Sequence, residues 1–169
     1  MILIPKYNNV IHLDGSLSIV KTNDDGKVTQ EIYVPNTVVA LGKNYIAKRM
    51  HLDSGIVAIM RHMGIGTADT ADVDSLAAEV ALTGYARVNM TPAAATGDRI
   101  TTTATGNTIE YVATFGTTNP NTDANGVALK EAGIFDAASA GVMLCRTTFP
   151  VVTKVQGDTI TITWTITIG

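Results

Sequence analysis

Asp158-Thr159-Ile160-Thr161-Ile162-Thr163-Trp164-Thr165-Ile166-Thr167-Ile168-Gly169 alternates between two kinds of side chain. Ile160, Ile162, Trp164, Ile166 and Ile168 fall on one side, and Thr159, Thr161, Thr163, Thr165 and Thr167 on the other. Successive side chains of an extended strand face opposite sides of a sheet. This is therefore a long strand with one apolar and one hydroxyl-bearing face. β-Branched residues and Trp fit a pleated surface, so propensity and pattern agree. Only Gly169 follows, and this end of the chain is expected to stay within the sheet rather than form a tail. Such a two-faced ribbon suits a rigid building element better than a catalyst.

Upstream, alternation recurs in residues 142–149, 129–135 and 108–115, where Ile109, Tyr111, Ala113 and Phe115 share a face. Residues 99–104, 85–90 and 56–65 add shorter strands, with a turn at Thr105-Gly106-Asn107. Residues 16–22 and 27–34 flank Asn23-Asp24-Asp25-Gly26, and an Asp-Gly pair between alternating runs signals a hairpin. Pro35 closes that hairpin, and Asn36 or Thr37 can then cap a helix. Val38, Leu41, Tyr45, Ile46 and Met50 form its apolar stripe, with Lys43, Asn44, Lys48 and Arg49 off it. Basic residues toward the C-terminal end suit the helix dipole. Gly42 is either a close-packing point or a weak spot in that helix.

Many short strands separated by turn signals predict a mainly β fold: an antiparallel β-sandwich with one α-helix (about 38–51) and an N-terminal β-hairpin arm. The expected division is an arm at residues 1–35 and a sandwich module at residues 36–169. Whether the hairpin is an exchanged arm or part of the core sheet stays open. A short turn of helix is expected around residues 75–80.

The chain has 169 residues, enough for one domain with a self-sufficient core. Charged residues make up only 16%, against about 25% in an ordinary soluble domain. Much of the surface must then be neutral, supplied by Thr, Asn, Ser, Ala and Gly, as on subunits that pack into assemblies. The net charge of −3 excludes a general nucleic-acid binder, which needs a concentrated basic face. No signal-peptide or membrane-spanning run is visible, so synthesis and assembly in a reducing cytoplasm are expected. With one cysteine, Cys145, no internal disulfide can form, and inert core packing is its expected role.

His12, His51 and His62 stand apart, without metal-ligand spacing. Gly64-Ile65-Gly66 lacks the third glycine of a dinucleotide loop and more simply permits a bulge or tight exit. Asp72, Asp74 and Glu79 lack the spacing of a calcium loop, as does the stretch from Asn119 to Asp123. Glu131, in Leu-Lys-Glu-Ala-Gly-Ile-Phe, has no partner carboxylate for acid–base work. It is expected to be buried against Arg87 or Arg146, since a buried charge persists when paired. No catalytic, cofactor-binding or metal-binding residues are assigned.

Taken in order, several motifs form a pattern: residues 36–47 (Asn-Thr-Val-Val-Ala-Leu-Gly-Lys-Asn-Tyr-Ile-Ala), His62-Met-Gly-Ile-Gly-Thr67, and Leu76…Glu79 leading to Arg87. Tyr111-Val-Ala-Thr-Phe115, Leu129-Lys-Glu-Ala-Gly-Ile-Phe135, Leu144-Cys-Arg-Thr-Thr-Phe-Pro150, Lys154 and residues 158–164 complete it. The series resembles a module of tailed-bacteriophage virion proteins, found in tail-fibre, collar and baseplate-associated components. The resemblance spans roughly residues 36–168. It implies a structural virion part that self-associates as a homo-oligomer, a trimer or ring, and docks other tail, neck or baseplate proteins. It brings no catalytic residues, no cofactor, no specific nucleic acid and no membrane. With no shaft or tip following the module, a short adaptor or collar-like subunit is expected, docking through its N-terminal hairpin. The alternative is a small fibre or head-decoration protein contacting host glycans through loops 91–98 and 117–126. Those loops lack the Tyr and Trp that stack on sugars.

Overall fold

The protein is described by a computed structural model, which covers residues 12–51, 58–70, 74–83, 85–90, 99–102, 106–116 and 124–169. Among these residues the elements run β1 (Leu13–Thr22), β2 (Val28–Pro35), β3 (Thr37–Val38), α1 (Ala40–His51), β4 (His62–Gly66) and β5 (Val88–Asn89). They continue with β6 (Arg99–Thr102), β7 (Thr108–Phe115), β8 (Ala128–Phe135), β9 (Met143–Thr153) and β10 (Thr159–Ile168). Two antiparallel five-stranded sheets result, ordered β2-β1-β10-β7-β6 and β3-β9-β8-β4-β5.

The alternating strand β10 is the middle of the first sheet. Its register carries the apolar face into rows that cross the whole sheet. One row runs Val34, Leu17, Trp164, Tyr111, Ile100, and another Ile32, Ile19, Ile162, Ala113. Leu17, Ile19, Ile162, Trp164 and Ala113 are buried in one core with Met63, Ile65, Ile134 and Cys145 of the second sheet. The opposite face repeats the hydroxyl pattern, with Thr163 beside Ser18 and Thr165 beside Ser16.

The hairpin is present, and it lies within the first sheet. Gly26, at φ 75°, donates its N–H to Asn23 O across 2.9 Å, in the left-handed conformation glycine adopts without a Cβ clash. β1 pairs with β10 along ten positions, from Leu13 opposite Ile168 to Thr22 opposite Thr159. Of the two placements left open by the sequence, the described part of the hairpin lies in the core sheet, with β1 between β2 and β10.

Three local expectations need correction. The helix begins at Ala40, because β-branched Thr37 and Val38 pair with Arg146 and Cys145 of β9 as a short edge strand. Neither Asn36 nor Thr37 caps it: the Asp74 carboxylate, from a distant loop, accepts the Leu41 N–H at 3.3 Å. Residues 75–80 form turns and an isolated bridge (Gly66 with Glu79), not helix. Gly42 is a close-packing point, since a side chain there would run into the Leu144 backbone. Pro150 sits in β9 beside a register shift against β8, where a missing N–H costs the ladder least.

Candidate functional site

The two sheets differ in what covers their outer faces. On the second sheet, Gly64 and Gly133 lie opposite one another in β4 and β8. Their missing side chains leave a dimple, and Leu76 fills it: a Cβ on either glycine would come within about 3.3 Å of a Leu76 methyl. Leu76, Val39, Phe135 and Met143 form a second, small buried cluster there. Gly66 likewise admits the passing backbone, since a Cβ would lie 2.6 Å from Ala78 O. These glycines therefore serve close approach; the β4–β8 register runs unbroken, so no bulge is present.

An ionic network pins this covering segment. Glu131 is fully buried and Arg146 nearly so. Glu131 Oε2 accepts from Arg146 Nε at 2.8 Å and from Ala77 N at 3.0 Å; Oε1 accepts from Ala78 N at 2.7 Å. Arg146 Nη2 stands 2.7 Å from Oε2 as a charge contact, without the angle of a hydrogen bond. Arg146 Nη1 donates to Thr70 O at 2.9 Å. The expected pairing of Glu131 with a cation is thus found, with Arg146 as the partner.

Arg87 instead forks onto Glu79, Nε to Oε1 and Nη2 to Oε2, each at 2.7 Å. Its Nη1 donates to Ala137 O and Ala140 O, and its guanidinium stacks 3.5 Å from the Phe135 ring centroid. Both guanidinium groups are paired with a carboxylate of the protein itself. Their geometry clamps residues 74–87 against the sheet and presents no converging groups to a substrate.

The other singled-out residues have separate surroundings. Asp74 caps α1 and Glu79 holds Arg87, so the two described members of the acidic cluster serve different partners; Asp72 lies outside the described residues. His62 is buried with Nδ1 unbonded. Burial, then the charges of Arg61 and Arg87, hold its pKa below the ordinary 6.5. His12 is exposed, and the side chain of His51 lies outside the description. Burial pushes the Cys145 thiol far up, which keeps it protonated and inert, as its position in the strand predicts. Loop 91–98 and residues 117–123 of the second loop lie outside the described residues. Among those described, no helix is long and apolar enough to cross a membrane.

The outer face of the first sheet toward β2 differs from that of the second sheet. Across it run Tyr33, Ser18 and Thr163 as far as Val112, which is buried, and beside them Pro35, Ser16, Thr165 and Glu110. Tyr33 is 72% exposed. The face carries a row of hydroxyls with the charged residues Asp14, Glu31, Arg99 and Glu110 around it, and among the described residues it ends in the edge strand β2, beyond which the sheet has no further strand. Neutral hydroxyls shed water at less cost than charges, and an open edge can accept another strand. Alternation in β10 was the visible signal for this face. The Leu76 dimple had only the weak signal of paired Gly-containing strands.

A family model, Podophage GP4 fiber I protein gp80, matches residues 60–167, well over half of the chain. No curated protein matches it.

Proposed function

We propose, because the chain belongs to the family of Podophage GP4 fiber I protein gp80, that it works inside the virion as a self-associating adaptor that docks other tail or fibre proteins. Membership makes it a structural component of a tailed-phage particle, of the fibre class. The adaptor role, the homo-oligomer and the choice among tail, neck and baseplate are our reading. The observation that carries it is the contrast between the two sheets. The chain covers the second sheet with its own residues 74–87, while the β2–β1–β10 face is hydroxyl-rich and leaves Tyr33 exposed. A second copy laid on this face, or a strand added to β2, would satisfy it.

Light scattering on the purified full chain tests this reading. An oligomer of fixed stoichiometry is expected, and Tyr33→Lys with Ser18→Lys should dissociate it while the fold persists. A wild-type chain that stays monomeric at high concentration and fails to enter particles alongside its neighbouring tail proteins would refute it.

A further inference from the structure

Lys154 follows the end of β9 and is 0% exposed, so its amine lies wholly inside the protein. Lysine is almost never buried so fully without a specific contact. Here Nζ stands 2.5 Å from Oδ1 of Asn125, which sits in the turn before β8. An ordinary N–H···O bond spans about 2.7–3.2 Å, so this approach is unusually close. With a carbonyl bond of about 1.23 Å and an angle of about 120° at the oxygen, Nζ is about 3.3 Å from Cγ. Atoms poised to react stand about 3–3.5 Å apart. The backbone holds the pair in place: Gly126 donates its N–H to Lys154 O at 2.8 Å. That bond also occupies the nitrogen that closes on an asparagine side chain when an Asn-Gly pair loses ammonia. A carboxylate adjoins the amine. Asp158 is buried, and its Oδ2 accepts from Lys21 Nζ at 2.8 Å and from Val155 N at 3.0 Å. Those bonds hold its pKa below the ordinary 3.8, and the charges of Lys21 and Lys154 add to the effect.

We propose that the chain joins Lys154 to Asn125 by an isopeptide bond, with Asp158 as the proton carrier. Removal from water favours the neutral amine, which is the nucleophilic form. Nζ gives one proton to the Asp158 carboxylate, and its freed electron pair attacks Asn125 Cγ. The Cγ–Nδ2 bond then breaks. The leaving nitrogen takes a second proton from Nζ and the first one back from Asp158, and departs as ammonium. One ammonium side chain and one carboxamide thus become one secondary amide and one ammonium ion, with no co-reactant needed. The bond ties the start of β8 to the end of β9 and closes a loop between residues 125 and 154. It restricts the unfolded chain as a disulfide does, in a chain whose single cysteine can form none internally. The proposal stands apart from the adaptor reading, since it concerns the covalent structure of one chain and its test does not depend on oligomerisation.

Mass spectrometry of the purified full chain tests this. The wild type should be lighter than its sequence by one ammonia, and trypsin should release residues 100–130 joined to residues 147–169, uncut after Lys154. Lys154→Arg and Asn125→Ala should each restore the full mass while the far-ultraviolet dichroism stays unchanged. Asp158→Asn should lower the linked fraction of freshly synthesised chain roughly tenfold or more. A folded wild-type chain of full mass, cleaved normally after Lys154, would overturn the proposal. So would an ammonia lost within residues 100–130 alone, which marks closure of Asn125 onto Gly126 instead of a cross-link. Undiminished linkage in Asp158→Asn would overturn the role given to Asp158.

Discussion

Replacing Glu131 by Gln tests the clamp that holds residues 74–87 over the second sheet. The carboxylate meets Ala77 N, Ala78 N and Arg146 with both oxygens, inside a region where Glu131 is 0% and Arg146 2% exposed. Glutamine has one acceptor oxygen and one donor amide. Placed with its oxygen toward Arg146, it turns N–H groups against Ala78 N; placed the other way, it turns them against Ala77 N and the guanidinium. Either way the buried Arg146 loses its countercharge. Breaking a buried pair from one side costs about 3–5 kcal/mol, because an uncompensated charge stays behind. At about 2–4 °C per kcal/mol for a chain of this size, the midpoint should fall by roughly 6–20 °C. Urea unfolding followed by fluorescence of Trp164, the chain's one tryptophan, reads the loss directly. Arg146→Met relieves the need for the charge, so the double variant should lose less than the sum of the two single losses. A loss under about 1 kcal/mol for Glu131→Gln, or strict additivity in the double variant, would refute the clamp.

Trp164→Ala should cost about 3–5 kcal/mol in denaturant unfolding, as the ring is wholly buried; Trp164→Phe should cost far less, since the indole N–H has no partner to lose. Gly66→Ala should destabilise by about 1–3 kcal/mol by pushing a Cβ against Ala78 O and the Glu131 side chain, measured by calorimetry. The pKa of His62 is lowered on folding, so the unfolded chain binds its proton first as pH falls. Stability present above 6.5 should therefore decline as pH drops through 6.5 toward the folded value, and His62→Gln should flatten that decline in melting curves taken between pH 7 and 5. Deleting residues 1–35 should abolish cooperative melting, because Leu17, Ile19 and Ile32 leave the core and β10 loses a partner along its whole length.

Much of the sandwich was legible because its strands are amphipathic. β10 buries one face, so alternation marks it directly. β4 was harder: all five of its residues are buried on both sides, so no period survives, and its expected start fell too early. The pairing of Glu131 was readable as a need for a cation, since an acid among Leu, Ala, Gly, Ile and Phe must be neutralised. Which arginine answers depended on loops that cross the sheet far away in sequence. Asp74 shows the same limit. A helix cap was expected next to the helix, yet the acceptor comes from more than thirty residues downstream.

From its residues alone the chain determined that it would build antiparallel ribbons with one aliphatic and one hydroxyl face, turn at Asn23–Gly26, and form one helix near residue 40. Those features are local: propensity, period and glycine geometry act over a few residues. The tertiary structure alone decided that the hairpin completes the central sheet, that Leu76 seats over two facing glycines, and that Glu131 belongs to Arg146. Those outcomes depend on which surfaces meet when distant segments pack, and a close approach exists only once both partners are in place.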